Sequence, residues 1–165
     1  MTSMTEPLFI IFDSLLAMPL TVSLLITGLS KEQLSHRNSP DEFSALENLC
    51  HLRDIEVEGY SQRIRKIVKE NQPSLPDIDG GRLAIERDYN HQNANEALEQ
   101  FTRARVSNVE ILRGLSGTEM SREGILEGVG RVNLEKLVQM MREHDEGHVS
   151  ELKIIRRRID RETSD

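Results

Sequence analysis

The chain has 165 residues, 37% hydrophobic and 30% charged, which suits one packed domain over 1–165 better than two. Twenty-one Lys and Arg against 28 Asp and Glu give a net charge of −7, which argues against nucleic acid or a membrane surface as partner. The single cysteine, Cys50, excludes an internal disulfide framework and every C-x-x-C knuckle, so any metal must sit on His and carboxylate.

The stretch Leu8 to Leu29 is apolar enough to pass for a signal peptide or a membrane span. Its flank carries Glu6 and no cation, however, and Asp13 and Pro19 lie inside it, so a soluble, cytoplasmic protein is the expectation. Leu8, Ile11, Leu15, Met18, Val22, Leu25 and Leu29 step by three and four, the period of one helix face. A first helix is therefore expected over about 6–29, kinked at Pro19. Phe9, Ile10, Leu16, Leu20 and Leu24 extend its apolar surface, so it should pack on several neighbours or on a second subunit.

Ser39-Pro40-Asp41-Glu42 has the form of a capping box with proline at the first helical position. A second helix is expected from there, with Phe43, Leu46, Cys50, Val57, Tyr60, Ile64 and Ile67 on its core stripe. Two prolines and Gly80-Gly81 then define a loop over about 72–92. A loop that long tends to be functional or to hold a short element, and it is expected to cover one end of the bundle. Helix three is expected from an Asn93 cap to Gly117, its stripe running through Ala97, Phe101, Ala104, Asn108, Ile111 and Leu115. Helix four is expected from an Asn133 cap, with a short tail over about 160–165. No strand alternation or hairpin signal competes, so the predicted fold is an all-α four-helix bundle. The cations around Arg156-Arg157-Arg158 fall near the last helix's C-terminus, where they complement its dipole.

His144 and His148 are spaced i, i+4 and project the same way. Heptad steps from Leu137 and Met141 and to Ile155 turn both inward. Two buried imidazoles need partners. Hydrogen bonds within the core are one answer, and a shared divalent metal is the favoured one. His51, near the core stripe of helix two, is the remaining histidine in a helical interior and the expected third ligand, whereas His36 and His91 fall in loops. Three imidazoles leave positions open for water or substrate, as catalytic sites do. Glu47 and Asp54 flank His51 and could orient its far nitrogen. With Asp145 they are the candidates for a catalytic general base, and each is otherwise an ordinary ion-paired group. Asn108 is either a paired core amide or part of a pocket wall that contacts cofactor. Cys50 points about 100° away from His51 and reads as a small buried hydrophobe.

Pro73-Ser74-Leu75-Pro76-Asp77-Ile78-Asp79, Arg87 through Gln92, and Ala97, Leu98, Phe101, Arg105 and Asn108 together resemble the DinB-like superfamily, YfiT-type proteins included. The last-helix H-x-x-x-H of His144 and His148, and His51 in His51-Leu52-Arg53-Asp54, agree with it. The resemblance spans roughly Glu42 to Ile155. It implies a DinB/YfiT-like four-helix bundle, a homodimer, and zinc or nickel held by His51, His144 and His148. It further implies a metal-dependent transferase acting on a small-molecule substrate with a low-molecular-weight thiol, namely bacillithiol, mycothiol or glutathione. The alternatives are a metal-dependent hydrolase of YfiT type, or a non-enzymatic dimeric bundle whose metal is structural or absent.

Overall fold

The computed structural model describes residues 7–164; residue 6, where the first helix is expected to begin, and Asp165 lie outside them. The chain folds as a four-helix bundle. Helix α1 spans Leu8–Ile26, with Pro19 inside it. Ile11, Phe12, Leu15, Met18 and Val22 are buried on the face turned to α6 (Ala94–Arg113) and α8 (Leu134–Glu162). Phe9, Leu20 and Leu24 remain exposed on the other face. The helix is long and apolar enough to cross a membrane by length and composition. In this fold its buried face is instead an inner wall of the bundle.

After the short α2 (Lys31–Ser35) comes α3 (Ala45–Asp54). It begins five residues later than Ser39-Pro40-Asp41-Glu42 suggests. Two S-x-x-E patterns compete here, and the second one caps: Ser44 Oγ accepts from Glu47 N at 3.0 Å and Glu47 Oε2 accepts from Ser44 N at 2.8 Å. Arg37 donates to the same Glu47 carboxylate, and Ser44 Oγ donates to Asn90 Oδ1. These contacts favour the second box, while residues 39–42 form a turn.

The expected stripe of helix two is broken by a π-helical turn, Ile55–Tyr60, before the rod continues as α4 (Ser61–Lys69). The wider turn carries Glu56 into the core and leaves Val57 38% exposed. The next segment contains β1 (Ser74–Leu75), α5 (Gly80–Glu86) and a 3-10 turn, Tyr89–His91. It packs on α3. Helix α6 starts at its expected Asn93 cap but ends at Gly114, whose N–H bonds back to Glu110 and Ile111; Gly117 instead opens α7 (Gly117–Met120).

The expectation of no strands is incorrect. β2 (Glu123–Leu126) pairs antiparallel with β3 (Gly130–Asn133), with Glu123 opposite Asn133 and Leu126 opposite Gly130, and parallel with β1, with Leu75 opposite Leu126. Gly128 and Gly130 hold φ of 75° and 100°, a left-handed backbone that closes the hairpin at little steric cost. At Gly124 a Cβ would come 2.7 Å from Leu75 Cδ1, so the strand needs a glycine to approach β1. This small sheet ties the 72–79 segment to the start of α8. Asn133 caps α8 as expected, accepting from Lys136 N.

Two apolar clusters fill the bundle. Leu15, Ile64, Val109, Leu137 and Met141 belong to one, and Val22, Leu49, Phe101, Val149 and Leu152 to the other. Along α6 and α8 a polar layer divides them: Arg105 and Asn108 on one helix and Asp145 on the other are buried between the apolar residues of the two clusters.

Candidate metal centre

His51 on α3 and His144 and His148 on α8 converge at the edge of that layer. Their coordinating nitrogens lie within 4.8 Å of one another. Ring centroids are 5.1 Å apart for His51 and His144, 4.5 Å for His51 and His148, and 4.7 Å for His144 and His148. His51 Nε2 faces His144 Nε2 at 3.0 Å. The i, i+4 spacing on a straight helix brings the α8 pair together, and the packing of α3 on α8 supplies the third ring.

The donor set fits a divalent cation. His51 Nδ1 and His144 Nδ1 are buried without a hydrogen-bond partner, so a single hydrogen bond between the two Nε2 atoms leaves the pair incompletely satisfied. Burial and the neighbouring His144 push the His51 pKa down to about 4. Burial, His144 and His51 push that of His148 to about 3. Both rings are therefore neutral at pH 7, the form that coordinates a metal. The His148 tautomer follows from its surroundings. Asn48 Nδ2 donates to Ser44 O at 3.1 Å, so Asn48 Oδ1 is the atom that faces His148 Nδ1, at 2.7 Å. Nδ1 then carries the proton and Nε2 a lone pair.

The three carboxylates expected as possible bases are each committed to arginine. Glu47 is paired with Arg37 and closes the α3 cap. Asp54 accepts from Arg53, Arg87 and the Tyr89 hydroxyl. Asp145, whose side chain is 1% exposed, accepts from Arg105. Burial opposes ionisation at all three, and the arginine partners outweigh it, leaving each below its ordinary range. Asn108 is buried in the same layer as Arg105, donating to Glu56 Oε1 at 2.8 Å and accepting from Ser61 Oγ at 2.9 Å. It does not line the cavity beside the triad. Cys50 is fully buried, and burial raises its pKa to about 11, so its thiol stays protonated and unreactive.

Four contributors are not evident from sequence pattern. Arg105 and Glu56 anchor the polar layer, Asn48 orients His148, and Gly80 lies against the His51 ring. Asn48 sits four residues after the capping serine and three before His51, a spacing that puts it near the cap and the His51 face.

A cavity of about 360 Å³ opens beside His148. Phe43, Ile154 and Ile155 give it apolar walls, and Glu42, Glu151 and Arg158 edge it. Phe43 stacks over His148 with ring planes 19° apart. Three converging imidazoles, one of them lining a cavity of this size, suit a metal with room for a small exogenous ligand.

No curated protein matches the chain in sequence. Among solved structures it is similar to YfiT from Bacillus subtilis, described as a probable metal-dependent hydrolase with an unusual four-helix bundle topology. The TM-score is 0.87 at 15% identity, covering 97% of this chain and 92% of that one; at such identity the likeness speaks for the fold. A family model, that of the DinB superfamily, matches residues 18–152. The match takes in His51, His144 and His148, and the chain belongs to the DinB superfamily.

Proposed function

We propose that the protein is a divalent-metal enzyme, its ion zinc or nickel on His51, His144 and His148, that transfers a low-molecular-weight thiol to a small-molecule substrate. The observation that carries the reading is the convergence of three imidazoles from two helices, one of which, His148, lines an open cavity. His51, His144 and His148 would hold the ion, which when bound would lower the pKa of a thiol or water on it toward neutral pH. The protein's own residues hold and shape the site. Asn48 fixes the His148 tautomer, and Phe43, Ile154 and Ile155 keep the cavity apolar around the reacting groups. Because Glu47, Asp54 and Asp145 are tied to arginines, none is disposed to take a proton from a nucleophile. That favours bacillithiol, mycothiol or glutathione, whose thiol needs the smaller pKa shift to ionise.

Hydrolysis is the second reading. YfiT's description favours it, as does Glu151, which lies at the cavity edge 3.6 Å from His148 Nδ1 with its pKa raised by burial, the direction a general base requires.

Metal analysis of untagged protein, followed by thiol titration of a cobalt-substituted sample, tests the assignment. A sulfur-to-metal charge-transfer band with one of the three thiols, abolished in His144→Ala and His148→Ala, is expected. Metal without any such band, together with turnover of ester or amide substrates, would replace transfer by hydrolysis. Protein that takes up no divalent ion would favour a non-enzymatic bundle. In the same reading the protein works in the cytoplasm as a homodimer, with the exposed Phe9, Leu20 and Leu24 of α1 as the apolar surface a second copy would cover. Light scattering of wild type against Leu20→Glu checks this.

A further inference from the structure

Beneath the triad the formal charges of one hydrogen-bonded cluster do not balance. Arg105, Glu56 and Asp145 each have side chains only 1% exposed, so one guanidinium faces two carboxylates and a charge of 1 − 2 = −1 is left over. Arg105 uses its whole fork. Nε and Nη2 donate to Glu56 at 3.0 and 2.7 Å, and Nη1 donates to Asp145 Oδ2 at 2.5 Å and to the Leu15 carbonyl at 3.1 Å. These bonds join all four long rods at one level and hold Asp145 in place from one side. An unbalanced charge in a medium of low polarity is costly unless an opposite charge lies nearby.

The other side of Asp145 faces the triad. Its Oδ1 lies 3.6 Å from His144 Nδ1, a nitrogen that is buried and makes no hydrogen bond. His144 Nε2 points the opposite way, toward His51. A cation taken up on Nε2 fixes the proton on Nδ1. That N–H is then directed toward a carboxylate whose position Arg105 has already set, and the surplus negative charge gains its counter-charge.

We infer that Asp145, held by Arg105, is a positioning residue of the metal centre: it accepts a hydrogen bond from His144 Nδ1–H, orients that ring and supplies negative charge that offsets part of the charge of a bound dication. This role differs from that of a general base, since Asp145 acts through His144. It rests on the metal reading above. It also accounts for a buried arginine on the inner face of α6, because the guanidinium is what keeps Asp145 charged where His144 requires it.

Zinc affinity by chelator competition and the imidazole N–H spectrum of zinc-loaded, ¹⁵N-histidine-labelled protein test the assignment. Asp145→Asn should weaken zinc by about 10–100-fold, the usual cost of removing an outer carboxylate from a ligating histidine. It should also abolish a downfield, slowly exchanging Nδ1–H signal. Glu56→Gln removes a charge from the same cluster but leaves Asp145 facing His144, so it should keep that signal and lose less affinity. Asp145→Asn binding zinc within about twofold of wild type would overturn the role, as would equal losses in the two variants. If Asp145→Asn does not fold, the wild-type spectrum decides alone, since lack of a downfield His144 proton in the zinc form is incompatible with the inference. Failure of wild type to take up zinc, nickel or cobalt would remove the metal reading itself.

Discussion

Gly80 lies directly against the imidazole of His51: a Cβ at that position would stand 2.5 Å from His51 Nδ1 and closer still to Cε1. The first residue of α5 therefore has to be glycine for the ring to occupy its place in the triad. Gly80→Ala should push His51 away from His144 and His148 and weaken zinc by about tenfold or more, as misplacing a metal ligand does. Gly81→Ala is the matched control, because its Cβ would meet only Asp79 Oδ1, at 3.5 Å. Chelator competition on both variants checks this, and equal affinities would show that the loop does not govern the His51 position.

Asn48 should matter to the metal although it cannot reach it. It is fully buried, and its orientation is set by the bond from Nδ2 to Ser44 O. Asn48→Ala frees His148 to adopt the other tautomer and leaves its Nδ1 with only the half-exposed Glu151 carboxylate nearby, at 3.6 Å. Zinc affinity is expected to fall by about 10–100-fold. Asn48→Asp, which keeps an acceptor facing Nδ1, should lose less. A titration in which alanine and aspartate behave alike would mean that the amide serves packing rather than the His148 proton.

The triad is legible in the sequence because helical spacing and heptad phase together say which way His144 and His148 point, and because few other histidines lie in a helix. The Asn93 and Asn133 caps are legible for a similar reason, being set by local hydrogen bonding. What local pattern cannot reveal is the polar layer. Arg105 occupies a core position on α6, four residues after Phe101 and three before Asn108, where apolar periodicity expects Ala104 instead. Its place depends on Glu56 and Asp145, 49 and 40 residues distant. Glu56 in turn is inside only because the helix widens at Ile55–Tyr60. The three-stranded sheet escapes detection because its strands are two to four residues long, too short for alternation to show, and because β1 is held by pairing with β2 about fifty residues further along the chain.

The π turn makes a prediction that separates the observed packing from a continuous α-helical stripe. Val57 should be core on the heptad pattern, yet it faces solvent, whereas Ile64 is fully buried. Val57→Gln should stay within about 0.5 kcal/mol of wild type, while Ile64→Ala should cost about 2–5 kcal/mol. Urea unfolding of the two variants measures both. A large loss at Val57 would mean that the rod runs as regular α-helix through residues 55–60.

Asp54 makes the pH dependence of stability testable one group at a time. Arg53 Nε, Arg87 Nη1 and the Tyr89 hydroxyl donate to it at 2.7, 2.8 and 2.6 Å. Burial raises its pKa, but these bonds outweigh burial and hold it below the ordinary aspartate range. With the folded pKa depressed, the unfolded chain takes up the proton first as the solution is acidified. The Asp54 contribution is therefore complete above the unfolded value of about 4 and disappears as the pH falls through the folded value. Asp54→Asn should thus lower stability at pH 7 by about 1–3 kcal/mol, reflecting loss of a charge-assisted acceptor in a nearly buried place. The gap between wild type and variant should close as both are unfolded in urea at successively lower pH, vanishing as the pH falls through the depressed folded value. A gap that is constant with pH, or that widens in acid, would show that the Asp54 carboxylate is not held ionised by Arg53, Arg87 and Tyr89, and that the segment carrying Arg87 and Tyr89 is fastened to α3 by packing alone.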